Sequence, residues 1–239
     1  MPHEQLSAAP ARTADVDLPA AILWDMDGTL VDTEPYWIGA EIALAAEHGG
    51  SWTHEQALQL IGRPLTDSAS ILREQAGIRG TNEEIADTLV GRVAERVRVD
   101  GPPWRAGSRE LLAAARAAGI PCALVTMSYS LLSEAVLAHL PAGTFDVVVS
   151  GDEVSRGKPD PEPYLLAAAR LGVDAARCVA LEDSVPGVAS AEAAGVTTVA
   201  VPLMVEIPPA PGRSRVRDVT GLTVADLCRA HAGEVLERV

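Results

Sequence analysis

Five short apolar runs punctuate the chain: AILWD (21–25), PCALVTM (121–127), FDVVVS (145–150), CVALED (178–183) and TTVAV (197–201). Their length predicts strands, and their lack of polar alternation predicts that both faces are covered, as in a parallel sheet. Helical patterns separate the later runs. Ser108 opens SRELLAAARAAG, which places Leu111, Leu112, Ala115 and Ala118 on one stripe and stops at Gly119. Asp160 and Pro161 supply a cap and a first-turn proline to DPEPYLLAAARLG, closed by Gly172. Ser184 and Pro186 open a third helix that Gly195 ends.

The interval between the first two runs is far longer than a crossover helix requires. It reads as helical throughout: EPYWIGAEIALAAEHGG, HEQALQLIG, TDSASILREQAGI and TNEEIADTLVGRVAERVRV. The last begins with a capping box, Thr81 and Glu84, and carries Ile85, Leu89, Val93 and Val97 along one face. The predicted fold is α/β: a Rossmann-like, doubly wound parallel sheet core (18–32 and 104–239) with an inserted all-helical cap domain (33–103). DGPPW (100–104) serves as the stiff return linker. Residues 1–17 read as a flexible tail, and PLMVEIPPAPGRSRVRD (202–218) as a proline-rich surface loop before a final short helix.

Composition narrows the function. The 239 residues carry a formal charge of -14, which argues against a nucleic-acid partner, since such binding draws on clustered Lys and Arg. No apolar run is long enough to span a membrane, and residues 1–17 lack the layout of a signal peptide. The expectation is a soluble, cytoplasmic protein, monomeric or weakly dimeric. Cys122, Cys178 and Cys228 lack metal-ligand spacing and read as reduced core residues. Lys158 is the single lysine among 19 basic residues.

The strand runs end in polar groups that apolar packing does not need. Asp25 and Asp27 follow the first, Thr126 and Ser128 the second, Glu182 and Asp183 the fourth. In a parallel sheet these ends lie side by side, so four carboxylates converge on one crevice. Crowded carboxylates must share protons or bind a cation. A hard, oxygen-ligated ion such as Mg²⁺ resolves the conflict, and its usual partner is a phosphate. Lys158, after the third strand, adds a compact charge for phosphate oxygens, and the turn amides at Gly28 are candidates for the same group. Taken singly each feature has a plain structural reading: Asp27-Gly28 as a turn, Ser184 as a cap, Lys158 as a solvated charge.

The ordered set DMDGTLVDTE, VTMS, GKPDPEPY and LEDS resembles the four motifs of the haloacid dehalogenase-like hydrolase superfamily, in its branch of beta-phosphoglucomutase and small phosphatases. The resemblance runs from about residue 20 to 202. It implies that Asp25 is a nucleophile forming an aspartyl-phosphate and that Asp27 is the general acid and base. It further implies that Asp25, the Asp27 carbonyl, Glu182 and Asp183 hold Mg²⁺, and that Thr126 and Lys158 bind phosphate. The candidate substrate-binding set is Gly28, Thr126, Met127, Ser128 and Lys158, joined by Glu34 and Arg63 from the inserted segment.

Rival chemistries of that superfamily fit less well. The phosphonoacetaldehyde hydrolase branch uses a cap lysine, and the only lysine here lies in a core motif. Dehalogenases lack the second aspartate, present here as Asp27. Beta-phosphoglucomutases carry a histidine where Trp37 stands, and a cap lysine. The expected function is therefore a Mg²⁺-dependent phosphatase for a small phosphorylated metabolite of the sugar or polyol phosphate class. A phosphosugar mutase and a non-catalytic phosphometabolite-binding protein are the alternatives. Arg63, between a glycine and a proline, is the candidate specificity residue, with a solvated surface arginine as the equal alternative. His48, His54 and His139 receive no role.

Overall fold

The structure, a computed structural model, describes residues 18–61 and 63–238; the predicted tail at 1–17 lies outside them. Seven strands form one sheet: β1 (Ala21–Trp24), β2 (Cys122–Val125), β3 (Val147–Val149), β4 (Cys178–Glu182), β5 (Thr197–Ala200), β6 (Ser214–Val216) and β7 (Glu237–Arg238). Every neighbouring pair is parallel, in the order β3-β2-β1-β4-β5-β6-β7. β1, β2 and β4 are buried along their whole length, as runs without polar alternation require.

The sheet is doubly wound. From β1 the chain moves outward through β2 to β3, then returns to lay β4 on the other side of β1. Crossovers leave on opposite faces there, and their divergence opens a crevice at the carboxyl ends of β1 and β4. Register brings the strand ends level: Trp24 pairs with Leu124 and with Leu181, and Val125 with Val149.

Nine α-helices are present among the described residues. Four lie between β1 and β2: α1 (Glu34–Glu47), α2 (His54–Ala57), α3 (Leu65–Ala76) and α4 (Asn82–Asp100). Five follow: α5 (Ser108–Ala117), α6 (Ser130–Leu137), α7 (Glu162–Leu171), α8 (Val185–Ala193) and α9 (Val224–His231). The Thr81–Glu84 capping box forms at the start of α4, and Ile85, Leu89, Val93 and Val97 are all buried. α4 packs against α1 and α3 within the helical segment and against α6 outside it.

Several sequence expectations need correction. HEQALQLIG is not one helix: α2 passes into a 3₁₀ turn at Leu58–Leu60. Ala118 is the exposed C-cap of α5 and leaves its buried stripe to Ser108, Leu111, Leu112 and Ala115. α7 begins one residue later than its proline suggests; Asp160 still serves its start by accepting the Glu162 amide at 3.0 Å. The supposed loop at 202–218 contains β6, where Ser214 and Val216 turn inward and Arg215 outward. All three cysteines are buried, and no disulfide joins them among the described residues.

Candidate active site

The crevice is built from the ends of β1, β2 and β4. Asp25 continues the β1 ladder by donating its amide to Leu181 O at 3.1 Å, and Thr126 does the same to Val149 O at 2.9 Å. Both side chains are thereby fixed by the sheet. After Asp25 the chain turns sharply, with the amides of Thr29, Leu30 and Val31 all directed at Met26 O. Gly28 adopts φ +86°, and a Cβ there would lie 2.0 Å from Asp183 Oδ2. Only glycine satisfies both demands. Its own amide is committed to Val31 O at 2.7 Å, so Gly28 makes room for a carboxylate instead of presenting the free donor expected of it.

Lys158 enters from the β3–α7 loop and is buried. Its ammonium donates to Asp25 Oδ1 at 2.7 Å, Glu182 Oε1 at 2.6 Å and Val125 O at 2.9 Å, using all three protons. Burial works to strip its charge, but the two carboxylates more than offset this and hold the pKa above the ordinary lysine range. Glu182 is braced further by the Tyr164 hydroxyl at 2.7 Å and the Ser184 hydroxyl at 3.2 Å. Ser184 also caps α8, and Gly187 one turn on has no room for a Cβ against the Glu182 carboxylate.

Asp25, Glu182 and Asp183 each offer an oxygen, all within 4.8 Å of one another. Burial raises the Asp25 pKa to about 7, and Glu182 adds to the shift while Lys158 opposes it. Burial, then Asp25 and Glu182, likewise push Asp183 well above the carboxylate range. One buried oxygen, Asp25 Oδ2, has no hydrogen-bond partner among the described residues. Three crowded carboxylates with an orphaned oxygen among them fit a hard divalent cation, which would favour their ionised forms.

Asp27 is the exception to the expected meeting of four carboxylates. It lines the same cavity but is not one of the three clustered carboxylates, and its side chain accepts hydrogen bonds from the hydroxyls of Thr33, Thr126 (3.2 Å) and Ser128 (2.7 Å). Thr126 Oγ1 in turn accepts the Ser128 amide at 3.0 Å, which ties the β2 loop to the β1 turn. Met127 contributes its sulfur to the Lys158 amide at 3.2 Å. Arg105 donates to Gly28 O and, at 3.0 Å, to Val201 O, so it clamps the turn from behind.

One cavity joins these groups to the helical segment. Asp25, Asp27, Thr126, Met127, Ser128, Lys158 and Asp183 line its sheet end; Glu34, Trp37, Glu41, Arg63 and Ser68 are among the residues at the other. Glu34 and Arg63 thus stand in the same cavity as the strand-end residues, although Arg63 is exposed and its Nε is occupied by Gln59 O at 2.7 Å. Burial raises Glu34 to about 8, helped by Asp27 and then Glu41. Burial also raises Glu41 to about 7, against the Trp52 hydrogen bond that lowers it. Thr33, Arg105, Tyr164 and Glu41 escaped the sequence reading. A signal for Glu41 was present: it lies four residues after Trp37 and three before Leu44, a charge on an apolar helix face.

The profile of the haloacid dehalogenase-like hydrolases matches residues 19–195. The "Phosphorylated carbohydrates phosphatase" of Thermotoga maritima is 34% identical over 180 residues, 74% of this chain and 82% of the relative. The "Bifunctional riboflavin kinase/FMN phosphatase" of Arabidopsis thaliana is 30% identical over 188 residues; this chain spans only 49% of that relative's length, using 77% of its own. Among solved structures, CbbY from Rhodobacter sphaeroides in complex with xylulose-(1,5)bisphosphate superimposes with a TM-score of 0.78 at 29% identity, covering 88% of this chain and 99% of the other. The chain belongs to the haloacid dehalogenase-like hydrolase family, where it stands among the phosphoric monoester hydrolases.

Proposed function

We propose that the protein is a Mg²⁺-dependent phosphatase that hydrolyses a small phosphomonoester of the sugar or polyol phosphate class through an aspartyl-phosphate on Asp25. The observation that carries this reading is the state of Asp25. Lys158 fixes one of its oxygens, the other is unpartnered among the described residues, and Asp25 lines a cavity that Asp27 also lines. The carbohydrate-phosphate relative supports the substrate class.

In this reading an Asp25 oxygen forms a bond to phosphorus as the bond from phosphorus to the leaving oxygen breaks. Asp27 gives its proton to that leaving oxygen. It then takes one from a water that attacks the same phosphorus, releasing inorganic phosphate and restoring the Asp25 carboxylate. The hydroxyls of Thr33, Thr126 and Ser128 hold Asp27 in place for both transfers. Lys158 offsets the negative charge gathered at Asp25 and Glu182. Asp25, Glu182, Asp183 and the Asp27 carbonyl would hold Mg²⁺, which supplies charge stabilisation for the phosphoryl oxygens.

We assign residues 18–32 and 104–239 to a catalytic core and 33–103 to a cap that covers the cavity, and we place the protein in the cytoplasm. Among the described residues no helix is long and apolar enough to cross a membrane. Purified protein should release phosphate from p-nitrophenyl phosphate in the presence of Mg²⁺, stop with EDTA and recover when Mg²⁺ is returned. Turnover indifferent to both additions would refute the proposal.

A further inference from the structure

The polar groups at the helical end of the cavity are unusual in sign. Two are carboxylates, Glu34 and Glu41, both from α1. Glu41 is only 5% exposed and lies on the face of α1 that buries Trp37, Ile38, Leu44 and Ala45. A carboxyl group in such a position costs stability unless it is matched by partners. Trp52 Nε1 donates to Glu41 Oε2 at 3.0 Å, while Oε1 has no partner among the described residues. A tryptophan needs a single acceptor, which an amide or a backbone carbonyl would supply. The second oxygen is left over on a residue that lines the cavity.

The cations of the cavity do not balance these acids. Lys158 spends its protons on Asp25, Glu182 and Val125 O. Arg63 is exposed, so its charge is screened by water, and its Nε is turned back onto Gln59 O. An anionic group reaching the helical end would therefore be desolvated with no buried cation to match it. A hydroxyl, which both donates and accepts, would meet a fixed hydrogen-bonding partner.

Building on the phosphatase reading, we infer that Glu41 is the recognition residue for the leaving group. Its Oε1 takes a hydroxyl of a neutral sugar or polyol, and with Glu34 it excludes substrates that carry a second phosphate or a carboxylate. Selectivity here arises from the lack of a buried counter-charge for a second anion as much as from attraction. Arg63, the specificity candidate from the sequence, is secondary in this arrangement.

The test measures kcat/KM by phosphate release from the full chain with Mg²⁺. The substrates are matched pairs of monophosphate and bisphosphate of fructose, glucose and ribulose, with p-nitrophenyl phosphate alongside. The unaltered protein should prefer the best monophosphate over its bisphosphate by about 10²-fold. Glu41→Gln should lower the monophosphate value about tenfold, mainly through KM, and leave the bisphosphate value little changed, so that the ratio falls about tenfold. Glu41→Asp should restore part of the ratio. Equal use of the two members of a pair by the unaltered protein overturns the inference without any variant. So does a bisphosphate preference that Arg63→Ala abolishes, or turnover of p-nitrophenyl phosphate with none of the monophosphates. Absence of p-nitrophenyl phosphate turnover is a different failure, since it removes the phosphatase reading itself.

Discussion

The two ends of the cavity treat buried charge in opposite ways. At the sheet end three of the four carboxylates have strong partners: Lys158 bridges Asp25 and Glu182, Tyr164 and Ser184 brace Glu182, and three hydroxyls hold Asp27. At the helical end Glu41 has one indole hydrogen bond, and no ion pair is found at Glu34 or Glu41 among the described residues. Both ends raise carboxyl pKa values by burial. The sheet end is organised to keep charge in place despite that. The helical end has no such provision: neither of its buried acids meets a lysine or an arginine among the described residues. One half suits an anion with its cations, the other an uncharged, hydroxyl-bearing group.

The largest expected effect breaks the sheet end alone. Asp25→Asn removes the nucleophile while keeping the shape and a hydrogen-bond acceptor for Lys158. Turnover of p-nitrophenyl phosphate should fall by at least about 10³-fold, with an unchanged circular dichroism spectrum. Retained turnover would show that Asp25 is not the attacking group.

Next in size is the loss of the central cation. Lys158→Met would leave Asp25 and Glu182 buried without a counter-charge, and breaking a buried pair in this way costs about 3–5 kcal/mol. Arg63→Ala, at the exposed cation of the same cavity, should change stability by no more than about 0.5 kcal/mol. Urea denaturation of both variants checks the contrast; comparable losses would mean that Lys158 is not the structural centre the geometry suggests.

Metal binding sharpens the comparison from a third side. A ligand at about 100 times its Kd stabilises a native protein by about 2.7 kcal/mol, so Mg²⁺ should raise the melting temperature by several degrees. Asp183→Asn should abolish that rise, and Glu41→Gln should leave it in place. A metal shift that depends on Glu41 would put the cation at the wrong end of the cavity.

What the sequence disclosed follows the same division. The sheet end was legible because its residues sit at strand termini, where apolar runs stop and polar ones begin, and because parallel pairing brings such ends together. Lys158 stood out by being the sole lysine. Asp27 was placed among the four converging carboxylates, but its side-chain direction depends on Thr33 and the β2 loop, which no spacing rule reports. The helical end was less legible: Glu41 looks like an ordinary charge until α1 is docked and its face is seen to be buried. β6 and β7 were missed for another reason. Strands of three and two residues, the second of them at the sheet edge, that include Arg215, Glu237 and Arg238 leave no apolar run to detect.

The smallest effect is also the one that most directly tests the state of the helical end. Glu41 has a folded pKa of about 7 against an ordinary value of 4.5. The native state therefore holds a proton that the unfolded chain releases between those values. A raised carboxyl pKa contributes stability that is fully present below 4.5, is lost as the pH rises toward about 7, and stays lost above it. Glu41→Gln keeps an oxygen for Trp52 Nε1 and has no proton to lose. Relative to the unaltered protein, the variant should be level or slightly weaker at about pH 5 and stronger by about 1–2 kcal/mol at about pH 8. Glu34 adds to the same trend, because removing the Glu41 charge relieves one cause of its own raised value. Denaturation curves at the two pH values supply the measurement. Parallel pH profiles for the two proteins would mean that Glu41 is already solvated or paired in the native state, and the contrast between the two ends of the cavity would then reduce to one of shape.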